Sequence, residues 1–243
     1  MCLKEIGCVP CDPVNFSWIQ LNLRWNVRRI KRLGKYAELV ARLIKVYIKK
    51  CLRIMLKVAF KFEWWHTSPI ENRDYANAII KRVSDHEPKN IVLEIGCGLG
   101  DIISALDFKN RFFFDISENV LEAARFLKFF RNFNSKSNDF FQIFDLFSNS
   151  IDESIQCDVV IMVNWIHAFD SARLAPKIEN LVNTNMRSGS LLIFDVIPEK
   201  ANETFSGKTF HHEIEDLINK KYFEIEVLED YRFGRSIVIA RLI

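Results

Sequence analysis

The sequence predicts an α/β protein: a mostly parallel sheet of seven strands crossed by helices, closed by a C-terminal β-hairpin and preceded by a basic helical extension. Three observations carry this reading. From Arg73 onward, short apolar runs alternate with segments of helical period, the pattern of strand–helix–strand crossovers. The apolar run Ile91-Val92-Leu93-Glu94-Ile95 opens directly into a glycine-rich turn, Gly96-Cys97-Gly98-Leu99-Gly100. Charge is divided: residues 1–61 hold 14 Lys/Arg against three acids, whereas residues 62–243 hold 20 against 28. Such a split marks two parts with different partners, and the boundary is placed at residues 62/63.

The bulk numbers fit this division. A chain of 243 residues, 49% hydrophobic and 27% charged, buries one full core with an extension to spare. Eight Gly and six Pro are too few for long flexible linkers. Of the six cysteines, Cys97 and Cys157 fall on a buried sheet, and Cys8 and Cys11 form a lone C-x-x-C without a second pair at zinc-ligand spacing. A reducing cytoplasm is expected. The N-terminus lacks the basic-then-apolar pattern of a signal peptide, and no run is apolar enough to span a bilayer.

The extension comes first. From Lys35 to Phe62 the period is helical. Arg42, Lys45, Lys49, Arg53, Lys57 and Lys61 share one face, into which Val46, Leu56 and Phe60 intrude. Val40, Leu43, Ile44, Tyr47, Ile48, Cys51, Ile54, Met55, Val58 and Ala59 lie mostly on the other. Three readings stand open: the apolar face packs on the second domain, residues 35–62 lie peripherally on an anionic membrane at its inner face, or the charge meets nucleic acid. Trp18, Trp25, Trp64 and Trp65 near both ends suit a membrane interface. The absence of any recognisable nucleic-acid-binding motif counts against the third reading.

The second domain begins with a helix over 70–84. The strand 91–95 follows, then the glycine turn and a helix over about 100–107. Further strands are expected at Arg111–Asp115, Phe140–Phe144, Asp158–Val163 and Ser190–Asp195, with helices at 118–130 and 171–186 between them. Ser117 is placed to cap the first of these helices. Phe223–Leu228 and Ser236–Leu242 form the closing hairpin, joined near Phe233-Gly234.

A strand, glycines and a helix start bring backbone N–H groups close to a nucleotide-type ligand. Dinucleotides want G-x-G-x-x-G, but Asp101 stands where the last glycine belongs, and a carboxylate repels a pyrophosphate. Gly96, Gly98 and Gly100 instead give G-x-G-x-G.

With the acid Glu94 before it, this turn resembles the first motif of class I S-adenosylmethionine-dependent methyltransferases, which have a Rossmann-like fold. The resemblance covers roughly residues 66–243. It implies S-adenosylmethionine as cofactor, with Glu94 on its amino-acid part and Gly96, Cys97, Gly98 and Gly100 letting the backbone approach. Asp115, with Ile116 beside it, matches the acid that accepts the ribose hydroxyls. Asp145 with Leu146 occupies the position near the adenine. Asn164, in Asn164-Trp165-Ile166-His167, stands where the fourth strand meets methyl and acceptor. No adjacent acid pair matches the cation-dependent members, so no metal is expected. The segment His66-Thr67-Ser68-Pro69-Ile70-Glu71-Asn72-Arg73-Asp74-Tyr75-Ala76 is similar to bacterial members associated with surface-polysaccharide genes. It implies that His66, Glu71, Arg73 or Tyr75 touch cofactor or a sugar acceptor, unless simple helix packing explains them.

Methyl transfer is an in-line displacement, so the protein mainly aligns the partners and excludes water. A hydroxyl or amine acceptor also sheds a proton. His167 is the first candidate base, because an imidazole titrates near neutrality; a purely structural hydrogen bond is its alternative. His212 or its neighbour His211 is the second, His211 also being placed toward the acceptor. The leading expectation is an enzyme methylating a small molecule or glycan, on oxygen. An RNA methyltransferase using the basic segment, and a non-catalytic binding module on the same fold, are the alternatives.

Overall fold

The computed structural model describes residues 35–131, 136–197, 210–231 and 234–243. The expectations for Cys8, Cys11, Trp18, Trp25 and Phe233 lie outside the described residues. The chain divides into two compact units, residues 1–49 and 50–243. In the first, residues 35–49 are helical and open helix α1 (Lys35–Phe60). The second contains the end of that helix and the whole sheet.

The seven strands are β1 (Ile91–Ile95), β2 (Asn110–Asp115), β3 (Asn138–Ile143), β4 (Cys157–Met162), β5 (Met186–Val196), β6 (Phe223–Tyr231) and β7 (Arg235–Leu242). They lie in the order β3-β2-β1-β4-β5-β7-β6. The first five are parallel, and β7 runs antiparallel to both β5 and β6. The expected sheet and C-terminal hairpin are both present. The strand order reverses between β1 and β4, and in an open parallel sheet ligands bind in the crevice outside the strand ends at that point.

The remaining helices are α2 (Asp74–Ser84), α3 (Glu118–Arg131), α4 (Ser171–Asn185) and the short α5 (Ile214–Leu217). Period-2 alternation assigns each central strand's side chains to two cores. Val92, Phe113, Val159, Ile161 and Ile193 pack on Tyr75, Ile79 and Val83 of α2. Leu93, Phe114, Val160, Leu192 and Phe194 pack on Leu174, Ile178 and Leu181 of α4. Each such aliphatic side chain contributes about 1.5–3 kcal/mol by leaving water. That anchors the strand ends that carry the site.

Two local expectations are corrected. No α-helix follows the glycine turn; only a short 3-10 turn, Ile103–Ala105, forms. Residues 101–109 must both leave the turn and return to the start of β2, which leaves too little chain for a helix and two connections. The expected helix over 70–84 is broken at Arg73 (φ −120°, ψ 87°), with a 3-10 turn at Ile70–Asn72 before it. The turn at Arg187-Ser188-Gly189 is an irregularity inside β5, where pairing jumps from Cys157↔Met186 to Val159↔Leu191.

The end of α1 packs by a narrow apolar face. Leu56 and Phe62, with Leu52 and Phe60 beside them, meet Leu99 and α3 residues Val120, Ala123 and Leu127. Leu56 and Phe60 are the residues that intrude on the basic stripe. The broader apolar face, for which packing on the second domain was one of three open readings, leaves Ile54, Met55 and Val58 exposed.

Candidate active site

The glycine turn sits at the reversal point, directly beyond β1, and its backbone takes conformations that side chains resist. Gly96 has φ +71°, and a Cβ there would lie 2.2 Å from Cδ1 of Trp165. Gly98 has φ +55°, and a Cβ would lie 2.7 Å from Nδ1 of His66. Gly100 closes the turn, donating to the Cys97 carbonyl at 2.8 Å. The two aromatic side chains therefore lie against the turn, and a Cβ at Gly96 or Gly98 would collide with them. Trp165 is fixed by donating its Nε1–H to the Ile95 carbonyl, 2.6 Å away.

Two acids face this turn. Asp115 ends β2, buried, and accepts from Gly98 N at 2.8 Å and Ser117 N at 3.0 Å. One bond per oxygen leaves acceptor capacity for a diol. Glu94 accepts from Ile103 N at 3.1 Å, and burial pushes its carboxyl up to about 8. A buried acid held protonated is matched to a cationic group, which would restore its charge. Ile116, next to Asp115, is 70% exposed and offers an apolar surface. Burial raises the Cys97 thiol well above its ordinary value, so it is no nucleophile at neutral pH. These residues fit S-adenosylmethionine: an acid for an ammonium, an acid for ribose hydroxyls, a glycine cradle and an apolar side chain.

Asp145 is engaged locally. Its carboxylate accepts from Phe147 N and from Ser148 Oγ, which with the second bond holds it below its usual range. Both oxygens thus organise the turn after β3, while Leu146 is buried in the core on the α4 side of the sheet.

Asp101 was not a site candidate, yet it organises the loop. Burial opposes its ionisation, but Arg131, Arg73 and Arg53 surround it and hold it far below the usual carboxylate range. Arg53 donates from both terminal nitrogens, one at 2.9 Å. Arg131 also donates to the Leu99 carbonyl at 2.7 Å, so the cluster grips the glycine turn itself. The carboxylate set against a pyrophosphate in the sequence is compensated by three guanidiniums. Arg73, an acceptor candidate in the sequence, is engaged here and on the Ser68 carbonyl. His66 is kept below its ordinary value by burial and is neutral at pH 7.

A second cluster lies at the ends of β4, β5 and β7. Asp195, fully buried at the end of β5, accepts from Asn164 N at 3.0 Å. Its Oδ2 lies 3.1 Å from Arg235 and 3.2 Å from His167 Nε2. Burial opposes ionisation, but His167 and Arg235 lower its pKa. The His167 contact is a close approach outside good hydrogen-bond alignment, and both ring nitrogens of His167 lack an aligned partner. His167 stacks on His212 at 6.0 Å. His212 approaches the Ile166 carbonyl at 3.4 Å and is kept neutral by burial. His211 binds the Ile197 carbonyl at 2.8 Å.

Asn164 has a left-handed backbone, φ 76°, rare for a residue other than glycine. Its amide donates to the Tyr75 hydroxyl at 2.6 Å and accepts from Arg235, whose guanidinium also lies over the Tyr75 ring. Asn164 and Tyr75 thus join α2 to the sheet end. Sequence reasoning named His167, Asn164, Tyr75 and His212 but missed Asp195 and Arg235. Their signal was positional: Asp195 closes a parallel strand and Arg235 opens its antiparallel neighbour. Among the described residues no group of three or more His, Cys, Asp or Glu is placed to hold a metal.

No family model matches the sequence, and no curated protein matches it. Solved structures match the fold. Magnesium protoporphyrin IX methyltransferase (ChlM) of Synechocystis, with bound S-adenosylhomocysteine, superposes with a TM-score of 0.57 at 19% identity over 72% of this chain and 84% of that one. The N-methyltransferase NodS of Bradyrhizobium japonicum, also with S-adenosylhomocysteine, gives 0.60 at 14% over 79% and 98%. An S-adenosylmethionine-dependent methyltransferase of Clostridium acetobutylicum gives 0.54 at 16% over 69% and 90%. The chain has the fold of class I S-adenosylmethionine-dependent methyltransferases.

Proposed function

We propose that this protein is an S-adenosylmethionine-dependent methyltransferase that methylates a hydroxyl of a small molecule or glycan. The observation that carries it is the glycine turn bonded to Asp115 at the reversal point of the sheet, with Glu94 buried behind it. When bound, the cofactor supplies an electrophilic methyl on a sulfonium. Glu94 holds its ammonium, Asp115 its ribose hydroxyls, and Ile116 gives an apolar surface beside them.

The other residues prepare the acceptor. Arg235 pairs with Asp195, whose Oδ2 lies beside Nε2 of His167 at the strand ends. That arrangement favours the tautomer with Nε2 protonated and Nδ1 free to take a proton from the acceptor hydroxyl. Trp165 and His66 wall the turn and exclude water. The glycan reading draws on the sequence similarity of residues 66–76 to polysaccharide-associated members. The protein is expected in the cytoplasm, where the cofactor is made available.

Labelled cofactor incubated with nucleotide sugars, lipid-linked glycans and tRNA tests the reading. Transfer to a sugar acceptor, lost in His167→Ala, supports it. Transfer to tRNA alone, or cofactor binding without transfer to any class, overturns the acceptor assignment.

A further inference from the structure

The end of α1 has two apolar faces, and the fold uses one. Leu52, Leu56 and Phe60 pack toward α3 and the glycine turn, and Arg53 beside them reaches Asp101. Roughly half a turn away around the helix, Ile54, Met55 and Val58 point outward. They are 46%, 68% and 73% exposed, and just past the helix Trp64 and Trp65 are 71% and 58% exposed. The inward packing holds this stripe out in water, and an exposed apolar surface of this kind marks an interaction site.

The occupant is indicated by charge. Helix α1 carries seven Lys/Arg against one acid, Glu38. Lys50 and Lys57 flank the outward stripe on one side, and exposed Lys61 follows it. Two copies of so basic a helix would repel each other, whereas an anionic surface matches it. Tryptophans at the apolar–polar boundary suit the interface of a bilayer. No described helix is long and apolar enough to cross a membrane, so the fitting geometry is one lying flat.

We infer that the outward face of α1, with Trp64 and Trp65, docks the protein on an anionic lipid membrane. Ile54, Met55, Val58 and the two indoles enter the headgroup region, and the flanking lysines meet lipid phosphates. This docking stands apart from methyl transfer, because none of these side chains belongs to the candidate active site.

Flotation of the full chain tests it, with vesicles of phosphatidylcholine mixed with phosphatidylglycerol against phosphatidylcholine alone. The protein is expected to float with the anionic vesicles and to be released as salt rises. Met55→Glu with Val58→Glu should cut retention about tenfold or more. Lys50→Ala or Lys57→Ala should each cut it about fivefold. Circular dichroism and S-adenosylmethionine binding, followed in parallel, should stay unchanged, which separates failure of docking from failure of the methyltransferase reading. No flotation with anionic vesicles overturns the inference. So does flotation indifferent to Met55→Glu/Val58→Glu, or an oligomer that this double variant dissolves, because a second copy then covers the face.

Discussion

Two buried carboxylates, Asp101 beside the glycine turn and Asp195 at the ends of β4, β5 and β7, are compensated very differently. Asp101 is surrounded by Arg53, Arg73 and Arg131, all within ion-pair distance. Asp195 has one guanidinium, one backbone N–H and an imidazole that does not close a well-aligned hydrogen bond. The first is a finished structural joint that ties α1, the segment before α2 and α3 to the turn. The second leaves nitrogen atoms without aligned partners at the strand ends, where a substrate would supply them. Both oxygens of Asp101 are engaged, whereas Asp195 Oδ2 and both ring nitrogens of His167 lack aligned partners, as expected where chemistry is done.

Substitution of each carboxylate separates the two roles, and Asp101 is expected to give the largest effect. Asp101→Asn leaves three guanidiniums without their anion and should cost about 3–5 kcal/mol, because breaking a buried ion pair strands its partners. Urea unfolding should show it as a fall in midpoint, or as loss of the cooperative transition. Asp195→Asn should instead keep most of the stability and the cofactor affinity while lowering kcat. His167→Gln should do the same, each by about 10²–10⁴-fold, the range of general-base catalysis. Equal losses of stability in Asp101→Asn and Asp195→Asn would erase the distinction.

The fold was more legible in the sequence than these clusters were. Alternating apolar runs have one cheap burial, so the seven strands and the closing hairpin followed from pattern, whereas their order in the sheet did not. Glu94, Gly96, Gly98 and Asp115 were legible because spacing along one strand–turn unit carries them. The structural role of Asp101 was hidden because its three partners come from residues 53, 73 and 131, distant in sequence. Asp195 and Arg235 were hidden for the same reason: β5 meets β7 only through sheet pairing. The amphipathic pattern of α1 was read as helix, with three readings of its apolar face left open. Periodicity states that an apolar stripe exists and leaves open what covers it; Leu56 and Phe60, few but well placed, took the inward side.

Glu94 gives an intermediate effect that depends on pH. Its folded pKa, about 8, lies above its ordinary value of 4.5. Between these values the folded state binds the extra proton, so folding stability should fall as pH rises through that window, and Glu94→Gln should flatten the slope. A cationic ligand favours the ionised form, so cofactor affinity should rise from pH 6.5 to 8 with proton release on binding. Titrations in buffers of different ionisation enthalpy would detect that proton. The smallest effect belongs to Asp145→Ala: its carboxylate closes only its own turn, so stability should move by about 0.5–1 kcal/mol with catalysis almost unchanged.

The central claim is that the turn holding Asp115 binds S-adenosylmethionine, and isothermal titration of the full chain tests it most directly. The account predicts a single saturable site, weakened about tenfold or more in Asp115→Ala, because two ribose hydroxyls lose a charged acceptor. A folded chain that takes up no cofactor at millimolar concentration, or binds it equally well without the Asp115 carboxylate, would contradict it.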